Sequence, residues 1–319
     1  MSDMAVELPD RAVQSIQKVA GVLPVLLMPF TEDGSAVDED DFLAQAAHNL
    51  DVGCDGFVVG QVSEVLRLTH TERLRVAELC GMATQGRGVS VMSTGAESPE
   101  AAVEYSRHAQ NAGVDALLVM HPATVALDDD GMVDYYSQVI EAVDIPVLVF
   151  HAPNLAKRPL TINAQVRLLE RYGEERVMFK PEAQPTPPRV SALRDATAGR
   201  ARIFEGDGGM MLLDSHRRGL AGVIPATEIA EITVTLWRLL HEGRRRDAER
   251  LGHPLAYLMC HMLNSTDHYL ALAKRFLKER GLIRSTHVRG PSRHVVDDET
   301  WAETYRTYTD LLATAEELR

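Results

Sequence analysis

The stretch that decides the fold runs Ile145-Pro-Val-Leu-Val-Phe150-His151, continues through an amphipathic segment opening at Thr161, and ends in Val177-Met-Phe-Lys180. Two short, continuously apolar runs on either side of a helical pattern make a strand, helix, strand unit. Strands apolar on both faces belong to a parallel sheet covered by helices. Working outward, similar runs occur at 22–28, 56–60, 89–94, 116–120, 202–205 and 222–224, which with 146–150 and 177–180 makes eight. Helical patterns open near Asp38, Thr69, Ser98, Gly131, Thr161, Pro187, Gly208 and Thr227, some behind recognisable caps such as Thr69 with Glu72 or Ser98-Pro99-Glu100. Eight such repeats predict a closed α/β (β/α)8 TIM barrel over residues 21–240. A doubly wound sheet is the alternative, but Pro29-Phe30-Thr31-Glu32-Asp33-Gly34 after the first strand lacks its glycine-rich phosphate turn. Residues 1–20 read as an N-terminal extension. Helical patterns alone, near 244–263, 266–280 and 297–318, predict a C-terminal α-helical domain over 241–319. The proline-rich 184–189 reads as a stiff strand-to-helix connection.

Composition narrows the function. The chain has 319 residues, with 33 Lys+Arg against 46 Asp+Glu for a formal charge of −13, so a phosphate backbone is disfavoured and no nucleic-acid partner is expected. No apolar run approaches the ~20 residues of a membrane helix, and the first residues lack a secretion pattern, so a cytoplasmic location is expected. Cys54, Cys80 and Cys260 are odd in number, widely spaced and set among apolar residues, which reads as reduced thiols. No ligand-spaced histidine cluster calls for a metal, and no cofactor is expected.

Chemistry in a (β/α)8 barrel sits at the C-terminal ends of the strands. Lys180 ends an apolar strand and points into the barrel, where burial favours the neutral, nucleophilic amine. Such an amine attacks a ketone to form an imine, an electron sink for making or breaking the adjacent carbon–carbon bond. A structural lysine paired with Glu182 is the alternative on position alone.

The segments 21–34, Asn111-Ala-Gly-Val-Asp-Ala-Leu-Leu-Val119, 145–153 and the strand-end Lys180, in this order, resemble the dihydrodipicolinate synthase/N-acetylneuraminate lyase family over about residues 20–290. The resemblance implies the barrel with helical appendage, a homo-oligomer (dimer or tetramer), a small-molecule 2-oxo acid substrate such as pyruvate, and Lys180 as the Schiff-base residue. It also exposes departures. The family's hydroxyl-rich loop after the second strand reads Gly60-Gln61-Val62-Ser63-Glu64 here, leaving Ser63 and the Gln61 amide as candidates to bind the carboxylate. The family's two tyrosines fall at Phe150 and near Thr124. His151 and His121 are the nearest replacements by sequence, although strand alternation turns His151 away if Phe150 faces in. Glu182 shares parity with Lys180 and can move its proton.

Glu205 and Asp207 lie where sialic-acid lyases bind their sugar, with Gly208-Gly209 in place of the acidic pair those lyases use, which argues against that substrate. Pro225 completes the strand-end set. Four carboxylates, Glu64, Glu182, Glu205 and Asp207, suggest an acidic rim suited to a cationic or neutral tail. The expected function is cleavage or condensation of a 4-hydroxy-2-oxo acid. The alternatives are a 2-oxo sugar-acid dehydratase or hydratase using the same imine, and a catalytically degenerate 2-oxo-acid-binding member.

Overall fold

The computed structural model describes residues 19–151, 158–182, 184–292 and 294–319. The expected N-terminal extension lies outside the described residues up to residue 18, as do Ala152 and Pro153 of the fifth-strand segment. Among the described residues, eight parallel strands, β1 (Gly21–Val22), β2 (Gly56–Val59), β3 (Val89–Ser93), β4 (Ala116–Met120), β5 (Val147–His151), β6 (Val177–Pro181), β7 (Phe204–Glu205) and β8 (Gly222–Val223), follow one another around the sheet. Strands β2 to β6 form one continuous ladder and β7, β8 and β1 another. Single parallel bridges close the two seams: Val25 with Val58 between the first and second strands, and Phe179 with Ile203 between β6 and β7. The result is the closed (β/α)8 barrel.

The first strand is shorter than its apolar run because Pro24 has no N–H to continue a ladder. Its carbonyl still accepts from Val58 N at 2.8 Å, and Val25 N donates to Pro225 O at 2.8 Å. Each strand hands over to a helix: α1 (Glu39–Asp51), α2 (His70–Ala83), α3 (Pro99–Asn111), α4 (Asp129–Glu141), α5 (Ile162–Tyr172), α6 (Thr186–Ala196), the short α7 (Leu212–Ser215) and α8 (Ala230–His241). The caps read from sequence form: Thr69 Oγ1 accepts from Glu72 N at 3.3 Å while Glu72 Oε2 accepts from Thr69 N at 2.8 Å, and Ser98 Oγ accepts from Ala101 N at 3.2 Å. Of the proline-rich 184–189, only Gln184 and Pro185 lie in the connection: Pro185 is the N-cap of α6, and Thr186, Pro187, Pro188 and Arg189 form its first turn.

Period-two alternation sorts the strands into two layers. Val58, Val91, Leu118, Leu148 and Met178 pack in the cluster of the barrel interior, whereas Val59, Val119, Val149 and Phe179 pack outward among the helices. After α8 come α9 (Arg245–Met262), α10 (Thr266–Glu279) and α11 (Asp298–Glu317), close to the three helices read from the pattern. Helix α9 lies so close to α7 that a side chain at Gly252 would collide with Leu213. Among the described residues no helix is long and apolar enough to cross a membrane.

Candidate active site

Lys180 is two residues past Met178, so it keeps the inward parity, and it is only 5% exposed. Ladder register sets Met120, Phe150 and Lys180 side by side on β4, β5 and β6. The Lys180 ammonium lies 4.2 Å from the centre of the Phe150 ring. Its other neighbour is the Glu182 carboxylate, which accepts a hydrogen bond from Nζ. Glu182 reaches this position because the chain stays extended through Pro181, with Glu182 N donating to His151 O at 3.0 Å. Both alternatives for Lys180 therefore meet in one geometry: it is inward, buried and paired.

The Glu182 carboxylate also accepts from Asp207 N at 3.3 Å, and it fills the space beside Gly206. A Cβ at Gly206 would fall 1.9 Å from Glu182 Oε1, so only glycine permits the carboxylate to stand here. Asp207 adopts a left-handed backbone at φ 50°. Its Oδ2 accepts from Gln184 Nε2 at 2.6 Å and Thr186 Oγ1 at 3.4 Å. Burial, and next the neighbouring Glu182 charge, push the Asp207 carboxyl up to about 6, with Lys180 pulling the other way. Gln184 and Thr186 were missed from the sequence, where their segment reads only as a proline-rich connection. Gln61 enters from another side, its Nε2 3.9 Å from the Met120 sulfur and so above the same layer as Lys180.

Other sequence candidates take different places. His151 and His121 carry the outward parity, opposite to Phe150 and Met120. Their rings lie 6.2 Å apart, and His121 bonds the Tyr136 hydroxyl of α4 at 3.2 Å and Arg158 O at 3.1 Å. Burial, then His121, lowers the His151 pKa to about 4, so it is a neutral ring outside the barrel rather than a proton carrier at Lys180. Ser63 spends its hydroxyl on the turn itself, donating to Leu26 O and accepting from Gly60 N at 2.9 Å. Thr124 caps onto Glu97 in an exposed loop, and the buried Pro225 contributes its carbonyl to barrel closure. Glu64 is buried in an ion pair with Lys274 of α10.

Glu205 faces outward with Ile203, against α7, where Oε1 accepts from Met211 N at 3.1 Å and Oε2 has no partner among the described residues. The acidic rim thus shrinks: Glu64 and Glu205 are withdrawn, Glu182 faces a lysine, and Asp207 remains. Burial raises the Glu205 pKa to about 8. Because the folded value lies above the unfolded one, stability is lost as pH rises from the ordinary carboxylate range toward about 8, by an amount of the order of a few kcal/mol. Glu205→Gln, which cannot ionise, is expected to show little melting-temperature change at pH 5 and a clear gain at pH 9 by scanning fluorimetry. A pH-independent difference would contradict this.

Among the described residues no three His, Cys, Asp or Glu side chains are placed to hold a metal ion. A profile of the Dihydrodipicolinate synthetase family matches residues 18–305. The chain belongs to that family. Its members are class I, pyruvate-dependent lyases and aldolases. The chain is 33% identical over 183 residues to a 4-hydroxy-tetrahydrodipicolinate synthase of Phenylobacterium zucineum, covering 57% of this chain and 56% of that protein. A namesake of Bartonella bacilliformis is 27% identical over 237 residues, 74% of this chain and 80% of the other. The chain spans about half the length of the curated relatives first matched. Among solved structures, the synthase of Methylacidiphilum fumariolicum SolV superposes with a TM-score of 0.86 at 24% identity, covering 94% of this chain and 99% of that one. YagE, a prophage protein of E. coli K12 solved in complex with pyruvate, gives 0.82 at 21% identity, covering 92% and 99%. At these identities the superpositions establish the barrel fold.

Proposed function

We propose that the chain is a class I lyase that cleaves or condenses a 4-hydroxy-2-oxo acid through an imine on Lys180. The observation that carries this reading is the buried Lys180 amine at a barrel strand end, with an apolar ring on one side and a single carboxylate able to take its proton on the other. Family membership and the pyruvate bound by YagE support pyruvate as the 2-oxo acid part.

Glu182 takes the ammonium proton, and the free amine adds to the C2 carbonyl. Glu182 then returns a proton to the carbinolamine hydroxyl, which leaves as water and yields the imine. In the cleavage direction the Glu182 carboxylate accepts the 4-hydroxyl proton as the C3–C4 bond breaks. Its electron pair passes into the imine to give an enamine, and an aldehyde departs. Protonation at C3 and hydrolysis release pyruvate and restore Lys180. Phe150 has no proton to give, so in this scheme Glu182 carries the transfers, with Asp207 beside it. With one rim carboxylate left to meet the aldehyde part, local charge gives weak preference for a cationic tail over a neutral one.

Treatment with pyruvate and borohydride is expected to add one reduced pyruvyl group to the intact mass, absent in Lys180→Ala. No adduct on the wild type, or one that survives the substitution, would overturn the imine. Supplied with a panel of 4-hydroxy-2-oxo acids, the enzyme is expected to release pyruvate. Substrate loss by dehydration without pyruvate would replace the lyase with a dehydratase.

A further inference from the structure

We propose that Lys274, on α10 of the C-terminal helices, is a positioning residue for the barrel mouth: by holding Glu64 it fixes the turn that carries Gln61 over the Met120, Phe150 and Lys180 layer, where the 2-oxo acid carboxylate binds. The proposal rests on the imine reading above. Lys274 is fully buried, and its Nζ donates to Glu64 Oε1 and, at 2.6 Å, to His287 O. It lies 4.8 Å from the centre of the Phe30 ring. The other Glu64 oxygen accepts from Arg289 N at 2.9 Å and Arg67 Nη1 at 3.4 Å. Glu64 is therefore tied on both oxygens to segments far along the chain, Lys274 being 210 residues away.

The backbone shows why such a tie is required. Glu64 sits in the left-handed region at φ 52°, which residues with a Cβ rarely occupy unless their surroundings hold them there. It closes the Gln61–Ser63 turn, with Glu64 N donating to Gln61 O at 2.9 Å. The turn is pinned from below through Ser63, whose hydroxyl donates to Leu26 O and accepts from Gly60 N at the start of the turn, at 2.9 Å. The turn is thus gripped between the first barrel strand segment and α10, and Gln61 hangs from it toward Met120. A buried ion pair adds little net stability over an apolar pair of equal shape, but it fixes direction, because both charges must keep their partners. Releasing it lets Glu64 relax to negative φ and moves Gln61 off the layer.

The test uses the full chain and borohydride trapping of pyruvate on Lys180, read as half-saturating pyruvate and limiting trapping rate. In Glu64→Gln, and in the double variant Glu64→Gln/Lys274→Met, half-saturation is expected to rise roughly tenfold while the limiting rate changes by less than about threefold, the pattern of lost binding rather than lost chemistry. Hydrogen exchange of the peptide spanning Gly60 to Glu64 is expected to quicken in the same variants. Folded variants with wild-type half-saturation and unchanged exchange would overturn the positioning role. Absence of an adduct on the wild type would instead sink the imine reading, and the exchange measurement would still decide whether Lys274 holds the turn.

Discussion

Glu182→Gln is expected to lower lyase turnover by roughly 10²- to 10⁴-fold, the span of a lost general acid–base group, with pyruvate release from a 4-hydroxy-2-oxo acid as the readout. The glutamine keeps the shape of the side chain beside Gly206 and a hydrogen bond toward Lys180, but it cannot carry a proton. Gly206→Ala is expected to produce a comparable loss by a different route, because the added methyl would stand where Glu182 Oε1 now lies, 1.9 Å from it. The pH profile distinguishes these losses from misfolding. Asp207 is held up to about 6 by burial and by the adjacent Glu182 charge. Removing that charge lowers the pKa of Asp207, so any activity limb near pH 6 is expected to move to more acidic pH in Glu182→Gln. Turnover within about threefold of wild type would remove Glu182 from the mechanism.

The second large effect is on stability. Lys274→Met leaves the buried Glu64 carboxylate without its closest cation and with only the 3.4 Å ion pair to Arg67, a loss of about 3–5 kcal/mol for a broken buried pair. For a chain of this size that corresponds to a fall in melting temperature of the order of 5 °C by scanning calorimetry. The double variant Glu64→Gln/Lys274→Met removes both charges together and is expected to recover much of the loss. Equal melting temperatures for the single and double variants would mean that the pair is not energetically coupled.

How far the chain could be read depended on how local the controlling physics was. The eight apolar runs and the capped helices between them were legible because alternation and capping act over a few residues. Strand ends were less so. Pro24 shortens the first ladder, yet Val25 still bridges to both Val58 and Ala226 and closes the barrel. Within the site, the two-residue step from Lys180 to Glu182 predicts one shared face, and the extended Pro181 delivers it. The same alternation already sets His151 opposite Phe150, and the packing of the histidine pair against α4 follows that parity. Glu205 was harder. It lies at a strand end in an apolar stretch, and its outward turn depends on the bridge of Ile203 to Phe179 and on α7 lying over it.

The amino-acid sequence by itself determined the barrel, the inward lysine and the carboxylate on its face, because periodicity and side-chain parity are properties of neighbouring residues. Tertiary structure alone decided which of the remaining carboxylates stay at the mouth. Glu64 is taken up by a lysine 210 residues away, Glu205 by the N–H of Met211 outside the barrel, and Asp207 is brought to Glu182 by a left-handed turn next to a glycine. Each is an electrostatic choice between solvent and a partner, near or far along the chain, that the folded chain brings within reach.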